Sequence, residues 1–280
     1  MDSLFIALQH IVPQHLLSRF TGWLAERRSP LWLKNWVIRR FIAHFGVDMS
    51  EAAEPDPTRY GNFNAFFTRA LRDGVRPIDD APLVCPADGA ISQLGTINEH
   101  SIFQAKGRHY STWALLGGDA ARVAQFRNGR FATIYLSPRD YHRVHMPVAG
   151  RLTSSCYIPG DLYSVNNVTA ENVDRLFARN ERLVCYFDTQ YGPVAMVLVG
   201  AMIVAGIETV WSGQVAPPPR QMVQANYQAA PDAVELAKGQ EMGRFKLGST
   251  VILLLPEGAP DWLNHFTAGT PTRLGEALAQ

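Results

Sequence analysis

Three places in this chain combine residue type and spacing in a way that could do chemistry: Asp88-Gly89, the pair His142 and His145, and Gly248-Ser249-Thr250. Together they offer a carboxylate, two imidazoles and a hydroxyl. These are the parts of a Ser/His/Asp system, which is defined by roles and geometry and not by order along the chain. Each also has a plain reading. Asp-Gly is a common hairpin turn, the histidines could be satisfied core or surface residues, and Gly-Ser could simply enter the strand-like run Val251-Ile252-Leu253-Leu254-Leu255. A metal site is a weak reading of the histidines, because no third histidine or carboxylate stands at a zinc-like spacing. The GxSxG elbow of serine hydrolases is absent, since Val251 occupies the place of its second glycine. What sets Ser249 apart is the residue before it. Gly248 has no Cβ, so its carbonyl can take unusual backbone angles and be approached closely, and the Ser249 hydroxyl can attack the peptide carbonyl on its own N-terminal side.

The elements that must position these groups are mostly strands. Phe131 to Leu136, Leu183 to Phe187, Val194 to Val199, Met202 to Val210 and Thr250 to Leu255 are rich in β-branched, aliphatic and aromatic residues. Asn128-Gly129 and Tyr191-Gly192-Pro193 supply turns between such runs. Asn62 to Arg72 reads as a helix, Pro77 to Pro86 as an irregular connector and Ala170 to Arg179 as a short helix. The first 46 residues read as two or three short helices, punctuated by Pro13 and Pro30 and ended by Gly46. The expected class is α+β: short N-terminal amphipathic helices, residues 1–46, followed by a mainly antiparallel β catalytic domain over residues 60–280.

Composition narrows the function. With 47% apolar and 18% charged residues in 280, the chain has the makings of a sizeable core and not of a disordered segment. A net charge of +1, with no basic stripe interleaved with aromatics outside the N-terminus, gives no drive toward nucleic acid. Cys85, Cys156 and Cys185 are widely spaced and read as buried thiols in a reducing compartment. The N-terminus lacks the pattern of a secretory signal. The longest apolar stretch, Val194 to Ile207, has 14 residues, short of the roughly 18 a spanning helix needs, and Gly200 and Gly206 interrupt it. Charge is uneven, however. Residues 1 to 45 hold six basic side chains (Arg19, Arg27, Arg28, Lys34, Arg39, Arg40) against Asp2 and Glu26, an excess of +4 that leaves −3 for the rest. Basic residues beside Trp32, Trp36 and Phe41 suit a helix lying on an anionic bilayer, and equally a cap packed on the core.

The run Gly239-Gln240-Glu241-Met242-Gly243-Arg244-Phe245-Lys246-Leu247-Gly248-Ser249-Thr250-Val251 resembles the self-processing site of bacterial phosphatidylserine decarboxylases. Further segments resemble that family in the same order. They are Asn64-Ala65-Phe66-Phe67-Thr68-Arg69 with Arg76-Pro77, Pro86-Ala87-Asp88-Gly89, Arg139 to Pro147, Pro159-Gly160-Asp161-Leu162, Phe177 to Arg182 and Val199-Gly200-Ala201. The resemblance spans roughly residues 60 to 255.

The resemblance implies a proenzyme that cuts itself between Gly248 and Ser249. His145 takes the Ser249 proton, Asp88 holds the imidazole in its working tautomer, and Ser249 Oγ attacks the Gly248 carbonyl, turning amide into ester. β-Elimination then releases residues 1–248, the β chain. Loss of ammonia on hydrolysis leaves a covalent pyruvoyl group, the cofactor, at the head of residues 249–280, the α chain. The pyruvoyl carbonyl forms a Schiff base with the amine of phosphatidylserine, and carbon dioxide leaves to give phosphatidylethanolamine. His142 is the candidate proton donor to the carbanion. No metal is implied. The implied partners are phosphatidylserine, an anionic membrane surface and the protein's own cleaved chains, with a homodimer among the assemblies allowed. The implied address is peripheral, on the cytoplasmic side of the cell membrane. Three other readings are a Ser/His/Asp hydrolase with an intact chain, a pyruvoyl decarboxylase of a soluble amino acid, and a lipid-binding module without activity. Intact mass separates cleavage from the first and last, and substrate turnover settles the second.

Overall fold

The computed structural model describes residue 9 and residues 14–105, 107–202, 206–215, 221–228, 233–246 and 249–280. Two N-terminal helices open the described chain, α1 (Gln14–Ala25) and α2 (Leu31–Phe45). Pro30 starts α2, where a missing N–H removes a donor that has no helical partner anyway. Gly46 ends it in the left-handed conformation at φ 68°, its N–H returning to the Ile42 carbonyl. One stripe of α2, with Ile38, Phe41 and Ile42, packs on Val47, Phe66 and Phe67. Another stripe, with Leu31, Trp32 and Trp36, is uncovered, and Trp32 is 71% exposed. Lys34 does not add to that outer face. It is buried, and its ammonium caps the carbonyls of Thr58 and Tyr60.

The expected helix over Asn62 to Arg72 is only α3 (Phe63–Phe67), with Asn62 Oδ1 accepting from the Ala65 N–H. It stops because the Thr68 carbonyl, which would continue the ladder, accepts from Arg143 Nε at 2.9 Å, and Leu71 bridges to Ala52. The helix expected over Ala170 to Arg179 is likewise two pieces, Asn167–Asn172 and Leu176–Arg179, separated by Arg175 at φ 52°. The connector Pro77 to Pro86 contains Leu83–Val84, which pairs with Ala277–Ala279.

Among the described residues, the chain from Leu83 onward is built on two larger antiparallel sheets together with two two-stranded ones. The principal strands are β1 (Gly89–Thr96), β2 (Arg130–Leu136), β3 (Arg143–His145), β4 (Gly150–Ile158), β5 (Arg182–Thr189), β6 (Gly192–Val199), β7 (Gly206–Thr209), β8 (Glu241–Lys246) and β9 (Ser249–Leu255). In the large sheet the order is β4, β5, β6, β9, β2, β1, with the short strands Val223–Asn226 and Pro271–Thr272 at its two ends. In the small sheet β8 lies between β7 and β3. Of the run expected over Met202 to Val210, β7 is the strand, and residues 203–205 lie outside the described residues.

The run Val251 to Leu255 is apolar without alternation because β9 is covered on both faces. Val251, Leu253 and Leu255 join the cluster with Val144, Met146, Ile207 and Phe245 of the small-sheet region. Ile252 and Leu254 join the opposite cluster with Phe126, Phe131, Phe177 and Val197. The α+β class with mainly antiparallel strands follows from this arrangement.

Candidate active site

Ser249 is the first residue of β9, paired with Leu136 at the end of β2. Its side chain is fully buried, and Oγ has no hydrogen-bond partner. An unpaired buried hydroxyl forfeits roughly 1–3 kcal/mol, so the position is held against a stability penalty by the strands around it. Gly248 and Leu247, the other side of the expected cleavage bond, lie outside the described residues. That link is two residues long and joins β8 of the small sheet to β9 of the large one.

The segment from Leu136 to Arg143 leaves β2 beside Ser249 and carries His142, and β3 brings His145. His142 is fully buried, its ring tilted by 43° against Phe67 of α3 with centroids 4.0 Å apart. Its carbonyl accepts from the Phe245 N–H of β8, which ties it to the strand that runs toward the cleavage bond. His142 Nδ1 lies 2.8 Å from the Asp140 carbonyl, which can only accept, so Nδ1 carries the proton. Nε2 is then a bare acceptor, and it too is without a partner. Burial pulls the imidazole pKa down to about 3, so the ring is neutral.

His145 closes β3. Its Nδ1–H donates to the Gly239 carbonyl at 2.8 Å, which leaves Nε2 as acceptor for the Tyr141 hydroxyl at 3.1 Å. Burial lowers its pKa, only partly offset by the Gly239 hydrogen bond and the nearby Glu241 carboxylate, so it too stands as a neutral base. Burial also raises the Tyr141 phenol, which keeps its proton.

Asp88 immediately precedes β1, so Asp88-Gly89 is a strand entry and not a hairpin turn. Gly89 is required there, since a Cβ would lie 2.3 Å from the Tyr135 carbonyl oxygen of β2. The Asp88 carboxylate accepts from Arg76, through Nε at 3.0 Å and Nη2 at 2.6 Å, and from the Leu274 N–H at 2.8 Å. Arg76 also reaches Glu51, with Nη2 at 2.6 Å from Oε2. Paired carboxylates on both sides raise the Arg76 pKa further.

The fold therefore gathers Ser249, His142 and His145 onto neighbouring strands and loops. It does not join them by hydrogen bonds: neither imidazole holds Ser249 Oγ, and both ring nitrogens of His145 are engaged by groups other than Asp88. The tautomer that the sequence reading gave Asp88 to fix is fixed here by the Gly239 carbonyl. Arg76, Glu51, Tyr141 and Gly239 are contributors that sequence reasoning did not single out. Arg76, Tyr141 and Gly239 stand inside motifs already noted, but nothing local in sequence pairs Arg76 with a carboxylate 12 residues on, or Gly239 with a histidine 94 residues back.

A family model described as phosphatidylserine decarboxylase matches residues 63–280, and one described as PSD matches residues 4–46. Similar proteins named phosphatidylserine decarboxylase proenzyme occur in Stutzerimonas stutzeri, at 57% identity covering 100% of this chain and 95% of that one, and in Marinobacter nauticus, at 57% covering 100% and 98%. One from Bordetella petrii is 57% identical, covering 99% of this chain and 97% of its own. With matches of this extent running through both the helical N-terminus and the sheet region that holds Asp88, His142, His145 and Ser249, the chain belongs to the phosphatidylserine decarboxylase family.

Proposed function

We infer that the chain converts phosphatidylserine to phosphatidylethanolamine and carbon dioxide, and that it does so after cutting itself at Gly248-Ser249. The observation that carries the self-cleavage is Ser249 itself: a buried hydroxyl without a partner, at the head of a central strand, preceded by glycine. In the proposed first step a neutral imidazole, assigned to His145, accepts the Ser249 proton as Oγ bonds to the Gly248 carbonyl carbon. The C–N bond breaks, leaving an ester and a free amine at residue 249. For this, His145 Nε2 exchanges the Tyr141 hydroxyl for that of Ser249, while Gly239 keeps the tautomer. Removal of the Ser249 α-proton then breaks the Cβ–O bond and frees the Gly248 carboxylate. Water replaces the residual imine nitrogen, which leaves as ammonia.

The buried setting of residue 249 beside Leu136 fits a pyruvoyl group, which would supply an electron sink for the bond that carbon dioxide leaves. The chain's part is to shield that position from water and to supply a proton to the carbon that lost carbon dioxide, a role assigned to His142. Glu241 and, more weakly, the Arg76-paired Asp88 place negative charge near His145 and stabilise the imidazolium as it forms.

The helices supply access to the substrate. No helix among the described residues is long and apolar enough to cross a membrane. An apolar groove of about 740 Å³ between α1 and α2 is lined by Trp23, Leu24, Trp36, Phe41 and Phe45, with Arg27 and Arg40 at its rim. Peripheral docking of this face on an anionic bilayer uses apolar insertion and charge together. Mass analysis of the purified protein tests the whole reading. Two chains, the smaller beginning at position 249 and lighter by one ammonia than a serine-started peptide, are expected. A single intact chain that decarboxylates the lipid would refute it.

A further inference from the structure

Arg69 is a buried cation with almost nothing to hold. The residue is 4% exposed, and Nη2 donates to the Arg139 carbonyl at 3.1 Å. Nε and Nη1 have no partner, so three N–H donors point at no acceptor. Its flat face lies over the Phe66 ring, 5.7 Å from the centroid. Asp88, Asp140 and Glu51 act on it only through space, and burial lowers its pKa. A desolvated guanidinium without a counter-charge is expensive, and native structures normally pair it. Its neighbour Arg76, by contrast, is saturated by two carboxylates.

Where it lies says what it waits for. Phe41 of the membrane-facing helix α2 packs on Phe66 and Phe67, with centroids 5.9 Å apart in each case. Arg69 follows two residues after Phe67, and the Phe67 ring packs against His142. Arg139, whose carbonyl Arg69 holds, stands in the segment joining Leu136, the partner of Ser249, to His142. Contacts therefore run from α2 through Phe66 to the guanidinium and through Phe67 to the imidazole, and the guanidinium in turn holds the segment that starts beside residue 249. A glycerophospholipid with a serine headgroup carries its phosphodiester between the acyl chains and the amine, so a cation set between α2 and that segment matches it.

We propose that Arg69 binds the phosphodiester of the lipid headgroup and so sets the depth at which the amine meets residue 249. The phosphodiester is favoured over the carboxylate by a charge argument. The carboxylate loses its charge as carbon dioxide departs, so a cation on it would stabilise the ground state more than the transition state. The phosphodiester keeps its charge throughout, and gripping it positions the substrate without opposing the reaction. This rests on the decarboxylase reading.

The test uses the matured enzyme with Arg69→Gln and Arg69→Lys, a short-chain phosphatidylserine as substrate and glycerophosphoethanolamine as a headgroup probe that has the phosphodiester but no carboxylate. Arg69→Gln is expected to raise KM about tenfold or more with kcat within about threefold, the pattern of lost uniform binding. Inhibition by the probe should weaken in parallel, and Arg69→Lys should fall between. Because an uncompensated charge is removed, thermal stability of the uncut Ser249→Ala chain should not fall when Arg69→Gln is added. Loss confined to carboxylate-bearing ligands, with the probe unaffected, would overturn the assignment. So would an unchanged KM, or a misfolded or strongly destabilised Arg69→Gln chain, which would make the residue structural. If the wild type itself left phosphatidylserine unchanged, the decarboxylase reading would fail, and a probe-induced thermal shift dependent on Arg69 would still decide the anion site.

Discussion

The Tyr141 hydroxyl donates to His145 Nε2 at 3.1 Å, occupying the lone pair that a general base must offer to Ser249. The two residues are four apart, brought together because Tyr141 lies just before β3 and His145 closes it. On the proposed reading, self-cleavage starts from an imidazole of the right tautomer whose working nitrogen is covered. Tyr141→Phe uncovers it. The uncut chain of this variant is expected to process at least as fast as wild type when followed by denaturing gel. A slowing of tenfold or more would instead give the phenol a part in the proton transfer.

The two histidines should separate by readout. His145→Ala should accumulate the 280-residue chain, since the Ser249 hydroxyl is a poor nucleophile without a proton acceptor. His142→Ala should still cleave yet lose about 10²- to 10⁴-fold in phosphatidylethanolamine formation, the range typical of a positioned acid. Measuring cleavage and lipid turnover on each variant decides it. The unpartnered Nε2 of His142 makes the opposite result informative: an uncut His142→Ala with a normally cut His145→Ala would exchange the roles.

His142 also sets a pH dependence of stability. Its pKa is about 3 when folded, against 6.5 for the free side chain. Between those values the unfolded chain binds a proton that the folded chain does not, so stability is full above pH 6.5 and declines as pH falls toward 3. From pH 7 to pH 5 the loss from this one group is about 2 kcal/mol. Urea unfolding of the uncut Ser249→Ala chain at the two pH values, with and without His142→Gln, should show the slope flattening in the variant. An unchanged slope would place the proton uptake elsewhere.

Arg76 should matter far more to stability than an exposed arginine. Its side chain is 7% exposed and that of Asp88 10%, so Arg76→Met strands a buried carboxylate at a cost of about 3–5 kcal/mol. Arg59 and Glu54 make a surface pair, and Arg59→Met should cost less than about 1 kcal/mol. Urea midpoints on the uncut Ser249→Ala background compare the two. Equal effects would mean that the Asp88 carboxylate relaxes to water once Arg76 is gone.

Vesicle binding should depend on the uncovered stripe of α2. Trp32→Ala with Trp36→Ala should weaken sedimentation with anionic vesicles about tenfold or more, through lost apolar insertion. Raising salt should weaken wild-type binding without abolishing it, because only the charge component is screened. Equal binding by a chain deleted for residues 1–46 would remove the docking role.

Much of this protein was legible in its sequence because the signals are local. Gly248-Ser249 ahead of an unbroken apolar strand, Pro30 and Gly46 bracketing a helix, and the β-rich runs around Leu183, Val194 and Val251 each rest on properties of adjacent residues. Motifs in register carried the family for the same reason. Strands of small and polar residues, such as Gly89 to Thr96 and Glu241 to Lys246, were not legible, because pairing and not propensity makes them strands. The early end of α3 was hidden too, since a distant arginine takes the carbonyl of Thr68, the residue that follows it. Only tertiary structure decided that Asp88 belongs to Arg76, that Gly239 fixes the His145 tautomer, that Lys34 turns inward, and that Arg69 is buried without a counter-charge. Sequence can state that an acid, a base and a hydroxyl are present. Which donor faces which acceptor is set by the packing of strands far apart in the chain, and no residue type encodes it alone.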